Sequence, residues 1–105
     1  MLTYEVDGRV YNVDEDGFLQ DPELWNHDVA RDFALTEHVT EITDAHWKVI
    51  DYLRNYYVKF GIAPMVRKIC KENGCTLKEI YELFPSGPAK GACKLAGMQK
   101  PTGCV

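Results

Sequence analysis

Apolar and polar side chains alternate over residues 2–13, with Leu2, Tyr4 and Val6 on one parity and Val10 and its neighbours resuming after Asp7-Gly8. Period-two alternation around an Asp-Gly pair predicts an antiparallel hairpin, because both turn residues must take positive φ. Asp16-Gly17 marks a second turn, and Phe18-Leu19 would add a short third strand, giving a β-meander over 2–19. The period then changes to helical. Asp21-Pro22 reads as an N-cap and first-turn proline for a helix carrying Trp25, Val29 and Phe33. Thr43 caps the longest helix, whose inner face runs Trp47, Ile50, Leu53, Tyr57 and Phe60 up to Gly61. Pro64 opens a third helix with Met65, Val66 and Ile69 inward, ending near Asn73-Gly74. Thr76 and Glu79 form a capping box for a fourth, which Pro85 stops. Ser86-Gly87-Pro88 begins a short last helix that closes near Gly97. Residues 98–105, Met-Gln-Lys-Pro-Thr-Gly-Cys-Val, lack any period and are expected to form a flexible C-terminal arm.

The expected fold class is α+β: a mostly helical bundle with a helix-turn-helix-like pair, an N-terminal antiparallel hairpin or meander, and the arm. One domain spans 1–97, with its helices in 22–97, and the arm spans 98–105. A chain of 105 residues holds one modest core, and a hydrophobic content of 46% is enough to fill it. No apolar run reaches the roughly 18 residues of a membrane span, so no membrane insertion is expected. No basic segment followed by an apolar stretch opens the sequence, which predicts a cytoplasmic protein whose thiols are reduced by default.

The net charge of -4 hides a division. Residues 1–44 hold twelve acidic side chains against Arg9 and Arg31, whereas residues 45–105 hold four (Asp51, Glu72, Glu79, Glu82) against ten Lys and Arg. After Glu82 no acidic side chain occurs, while Lys90, Lys94 and Lys100 remain. Such a field suits an anion or an acidic partner surface, although a solvated basic face accounts for it equally well.

Four cysteines carry the candidate chemistry. Cys70 and Cys75 lie beside apolar residues at the third helix and its turn, where a free cysteine behaves as a small hydrophobe. Cys93 sits among the small residues Gly91, Ala92 and Ala96. Cys104 is penultimate, where a thiol adds nothing to a core and is expected to be exposed. Gly97, Pro101 and Gly103 supply bends between the two, so the arm can fold back and bring Cys104 onto Cys93 without disturbing the domain. Closing so short a loop costs on the order of 3 kcal/mol. An attacking thiol with a resolving thiol is the minimum set for taking up and releasing sulfur by exchange. The bland alternative is two cysteines with no joint chemistry.

Other constellations fit less well. The cysteine spacing C-x4-C-x17-C-x10-C has no tight knuckle for zinc, so no metal is expected. Asn12, Asp14, Asp16-Gly17 and Glu23 nearly spell a calcium loop, but a hairpin pattern stands where the entering helix belongs, so an acidic turn is the better reading. The third and fourth helices have helix-turn-helix proportions, which keeps DNA binding as a secondary reading, with Arg67, Lys68 and Lys71 as phosphate contacts.

Residues 81–105, YELFPSGPAKGACKLAGMQKPTGCV, resemble the C-terminus of the DsrC/TusE family, and DEDGFL (14–19), HWKVIDYLRNYY (46–57) and IAPMVR (62–67) extend the likeness over nearly the whole chain. That family includes the gamma protein of dissimilatory sulfite reductase and related sulfur-relay proteins. The resemblance implies that Cys104 is the sulfur-accepting cysteine and Cys93 the second cysteine of the sulfite-reductase branch. Arg67, Lys90, Lys94 and Lys100 match the basic residues expected to bind partner or anion. Met98-Gln99 departs from the usual Leu-Pro, and a short insertion before YELFP is missing, which points to the sulfite-reducing type. The implied role is a protein co-substrate rather than a stand-alone enzyme. Cys104 would take partly reduced sulfur from the alpha and beta subunits of a reductase that holds siroheme and an iron–sulfur cluster, this chain binding no cofactor itself. Cys93 would then close a trisulfide, and a membrane-bound thiol/disulfide reductase complex would release sulfide. A persulfide relay in sulfur oxidation or tRNA thiolation is the alternative within the same family.

Overall fold

In the computed structural model, which describes residues 2–99, strands β1 (Leu2–Val6) and β2 (Arg9–Val13) pair antiparallel with Tyr4 opposite Tyr11. Asp7 and Gly8 take φ of 47° and 82°, as the Asp-Gly turn requires. The third strand of the expected meander shrinks to one bridge, Val13 to Leu19. The turn before it is closed by Asp14, whose carboxylate accepts from the amides of Asp16 and Phe18 at 2.9 Å each, so the acidic residues build a turn. Phe18 and Leu19 are consecutive yet both fully buried, which no regular strand with one wet face permits.

The hairpin is bolted to helix α1 (His27–Ala34) through one carboxylate. Arg9 donates two hydrogen bonds of 2.8 Å to Asp32, and the Tyr11 hydroxyl donates to the same group. The Tyr4 hydroxyl donates to the Asp32 backbone carbonyl at 2.7 Å. Both tyrosine rings meet Phe33 edge-on at 5.3 Å. The helix expected from Asp21 is broken in two. Asp21 accepts from Asn12 instead of capping, and Pro22–Leu24 makes a single 3-10 turn. Trp25 then runs extended, and Asn26 caps α1 by accepting from the Val29 amide.

Helix α2 (Asp44–Phe60) buries His46, Val49, Ile50 and Leu53 and ends at Gly61. The Thr43 amide donates to His46 Nδ1 at 3.1 Å. His46 Nε2 lies 2.9 Å from the Leu83 carbonyl, which can only accept, so the imidazole is the Nε2–H tautomer and ties the start of α2 to Leu83. Helix α3 (Val66–Asn73) starts two residues after Pro64, with Met65 as an extended cap. Met65 therefore faces outward, 71% exposed, and Ile69 and Asn73 face in. Helix α4 (Leu77–Leu83) carries the expected Thr76/Glu79 capping box. Only Ile80 of its apolar residues is buried, while Leu77 and Tyr81 stay exposed. Phe60 is likewise exposed at the end of α2.

The last described segment is the most buried of all. Pro88–Ala92 forms a π-helical turn that runs into one α-helical turn, α5 (Cys93–Leu95). Ala92, Cys93, Leu95, Ala96 and Met98 are each fully inaccessible and join Phe18, Phe33, Ile50, Leu53 and Phe84 in a continuous core. Each phenylalanine so buried contributes about 1.5–3 kcal/mol. Met98, placed by sequence in the arm, thus belongs to the core; its side chain is apolar and finds room there. Residues 100–105, the remainder of the expected arm, lie outside the described residues.

Candidate functional site

Three features of the chain fix Cys93 in place. It opens α5 at the end of the π-helical turn, a local widening of the helix that is common at functional sites. Gly91 in that turn backs onto Phe84, where any Cβ would come within 2.8 Å of the Phe84 Cβ. Cys93 itself is 0% exposed, and desolvation of the thiolate pushes its pKa up to about 12. At neutral pH roughly one molecule in 10⁵ carries the thiolate. A reagent dissolved in water reaches this sulfur only when the packing around it opens.

The neighbouring residue supplies an anchor. Lys94 is buried, and its Nζ donates to Glu37 at 2.8 Å, above the face of Phe18. Glu37 lies in the 3-10 turn Leu35–Glu37 that follows α1, so the pair fastens α5 to the far end of that helix. Among the described residues, Glu37 Oε1 has no hydrogen-bond partner. Lys94 was expected among the cations offered to a partner or anion; it is instead spent inside the fold, because the only way to bury its stem beside Cys93 is to give the ammonium a carboxylate.

A second anchor holds the exit from α5. The Trp25 indole N–H donates to the Leu95 carbonyl at 2.7 Å. Arg54 donates to the carbonyls of Pro22 at 2.7 Å, Gly97 at 3.3 Å and Ala96 at 3.4 Å, and lies 5.0 Å over the Trp25 ring. Burial draws the Arg54 pKa below its ordinary value, with Tyr57 opposing. Gly97 has φ of 71°, and a Cβ there would sit 2.2 Å from Trp25 Cδ1, so the chain can leave α5 past the tryptophan only at a glycine. Glu37 and Arg54 went unmarked in the sequence, and Trp25 was read only as part of a helix face. The one available signal was Trp25, whose fit to a helical period is spoiled by Asn26, a strong cap.

Among the other sequence candidates, Arg67 is exposed on α3 and Lys90 is exposed on the π-helical turn. Cys104 and Lys100 lie outside the described residues. Cys70, in the last turn of α3, and Cys75, in the α3–α4 turn, are half-buried. On α4 the exposed charges are Lys78, Glu79 and Glu82, one cation against two carboxylates. Among the described residues no helix is long and apolar enough to cross a membrane, and no three His, Cys, Asp or Glu side chains are grouped to hold a metal ion.

A sequence model described as DsrC like protein matches residues 5–105. The chain belongs to the DsrC-like family. Over 104 residues, covering 99% of this chain and 97% of the relative, it is 52% identical to the sulfite reductase, dissimilatory-type subunit gamma of Nitratidesulfovibrio vulgaris. It is also 38% identical over 107 residues to the sulfurtransferase TusE homolog of Haemophilus influenzae, covering 95% of this chain and 97% of that one. The fold agrees with the crystal structure of the oxidized gamma-subunit of the dissimilatory sulfite reductase (DsrC) from Archaeoglobus fulgidus, with a TM-score of 0.86, 48% identity, and coverage of 99% of this chain and 100% of that one. A chain in the crystal structure of dissimilatory sulfite reductase I (DsrI) superposes with a TM-score of 0.90 at 50% identity, over 99% of this chain and 100% of that one. The DsrC-like fold therefore accounts for the buried last helix as well as for the hairpin and the helical bundle.

Proposed function

We propose that this chain is the sulfur-carrying co-substrate of a dissimilatory sulfite reductase, with Cys104 as the acceptor and Cys93 as the resolving thiol. The observation that carries this reading is the near full-length, 52% match to a dissimilatory-type gamma subunit, in a family match that runs through both cysteines. The state of Cys93 supports it. A thiol protonated by burial does not react with stray oxidants in water, and it becomes a nucleophile only after the packing around it yields.

The electron count sets the sulfur species. In the proposed step the reductase alpha and beta subunits, which hold the siroheme and the iron–sulfur cluster, pass on sulfur two electrons below sulfite. Cys104 takes up that sulfur. Cys93 then attacks it, closing a Cys104–S–S–S–Cys93 trisulfide, and two waters leave with the two thiol protons. The incoming sulfur gains two electrons and the two thiol sulfurs lose one each. Four electrons and four protons from a thiol/disulfide reductase complex at the membrane then return both thiols and release hydrogen sulfide. This chain contributes the two sulfur atoms and the frame that holds one of them.

The test is intact-mass analysis after turnover with reductase and sulfite. Wild type gains one sulfur and loses two hydrogens, and neither Cys93→Ala nor Cys104→Ala forms that product. Sulfur uptake by Cys104→Ala would overturn the assignment of the acceptor. The 38% identity to a TusE homolog favours a second reading, a persulfide relay. Its mark is one added sulfur on Cys104 with no hydrogen lost, formed equally well by Cys93→Ala.

A further inference from the structure

The α3–α4 turn holds two thiols that the proposed sulfur chemistry does not use. Gly74 ends α3, and the amides of Gly74 and Cys75 both bond to the Cys70 carbonyl, the latter at 3.0 Å. This closing of a helix through a left-handed glycine places the residue after the glycine over the last turn, an arrangement that frequently sets the two side chains against each other. Here those side chains are Cys75 and Cys70. Both are free and half-buried. A disulfide requires α-carbons about 4.4–6.8 Å apart, and a direct amide-to-carbonyl bond between the two residues keeps them at that order of separation. The Lys48 ammonium reaches the same turn, donating to the Asn73 carbonyl at 3.1 Å.

We propose that Cys70 and Cys75 are a second dithiol of this chain, a redox-modification site that closes to an intrachain disulfide by exchange with low-molecular-weight disulfides. One thiolate attacks the small disulfide RSSR, forming a mixed disulfide and expelling RS⁻. The other thiol then displaces the second RS⁻ and completes the Cys70–Cys75 bond. Two electrons pass from the protein sulfurs to RSSR, and the two thiol protons end on the two RSH released. Cys75 takes the resolving step. Its pKa is raised by burial first, then by charge on and hydrogen bonding with Cys70, then by Glu79, with Lys48 alone opposing. The bond closes a very short loop on a partly exposed turn. It therefore restrains the unfolded chain little and is readily reduced, which suits a reversible modification better than a structural staple.

The experiment uses the full wild-type chain equilibrated with graded ratios of oxidised to reduced glutathione, quenched by alkylation and digested with trypsin without reductant. Cleavage at Lys68, Lys71 and Lys78 separates the cysteines into residues 69–71 and 72–78. The expected product is those two peptides joined by a disulfide, with loss of both alkylation sites and full recovery after dithiol treatment. Cys70→Ser and Cys75→Ser each abolish the linked pair. Recovery of Cys70 and Cys75 in alkylated form across all ratios would overturn the proposal. So would capture of either as a lasting glutathione adduct, or as a bond to Cys93 or Cys104. Because the readout is confined to residues 69–78, its failure leaves the role of Cys93 and Cys104 untouched.

Discussion

At the level of single residues, the burial of Cys93 has a thermodynamic consequence that can be measured without any partner. Its thiol ionises near 9.0 when unperturbed and near 12 in the fold, so between those values the unfolded chain releases a proton that the folded chain keeps. Stability is therefore undiminished below pH 9 and falls as pH rises toward 12, by about 4 kcal/mol in all from this group. Tyr4, Tyr11 and Tyr52 are also raised, chiefly by burial, and push in the same direction. The difference between wild type and Cys93→Ala isolates the thiol: in urea melts at stepped pH, the alkaline loss should be shallower in the variant. Parallel curves would mean that the sulfur is solvated. Lys94 and Glu37 give a second residue-level expectation. Glu37→Leu leaves a buried ammonium unpaired and should cost about 3–5 kcal/mol, whereas the double change Glu37→Leu/Lys94→Met should recover most of that loss. A double variant as unstable as the single one would rule out an uncompensated charge as the cause.

Among the elements, α5 is short and carries no capping hydrogen bond from a side chain at its start, so its position depends on what grips it. Arg54 and Trp25 hold its exit through four hydrogen bonds to carbonyls of residues 22 and 95–97. Replacing Arg54 by Ala leaves the carbonyls of Pro22, Ala96 and Gly97 short of a donor and should cost about 1–3 kcal/mol. If part of that loss falls on local opening of α5, native-state alkylation of Cys93 should speed up about tenfold, with Cys70 and Cys75 unaffected as internal controls. An unchanged Cys93 rate would show that the exit of α5 does not gate the thiol. These grips explain what the sequence left illegible. The hairpin, the Thr76/Glu79 box and the α2 stop at Gly61 were readable because each rests on residues a few positions apart. Lys94 read as a surface cation because its partner is 57 residues away, and Arg54 lies 42 residues from Ala96. Met65 read as inward because Pro64 starts helices well; here Met65 is the extended cap and α3 starts after it. The Cys93–Cys104 pairing rests on spacing and family likeness, with Cys104 outside the described residues, while Cys93 owes its depth to a core that joins Phe18, Phe33 and Phe84 from three separate parts of the chain.

For the whole molecule, the uneven charge along the chain becomes an argument about association. Twelve of the sixteen acidic side chains precede Ala45, and ten of the twelve Lys and Arg follow it. Two of those cations are withdrawn from any encounter surface: Lys94 is paired with Glu37, and Arg54 is engaged with backbone carbonyls. Arg67 and Lys90 remain exposed, on different elements of the C-terminal part. On the proposed role they would steer the chain toward an acidic partner surface, an effect that acts on the association rate and is screened over about 10 Å at 0.1 M salt. The double variant Arg67→Gln/Lys90→Gln should therefore associate several-fold more slowly at low ionic strength, with dissociation nearly unchanged. Raising the salt should close the gap, because the wild-type advantage is what salt removes. Lys94→Gln cannot imitate this. It breaks a buried pair, so its signature is lost stability at every ionic strength rather than a salt-dependent rate. Surface plasmon resonance over a salt series, paired with thermal melts of the same three proteins, separates the two behaviours. A double variant that matches wild type at low salt would place the docking surface away from these cations.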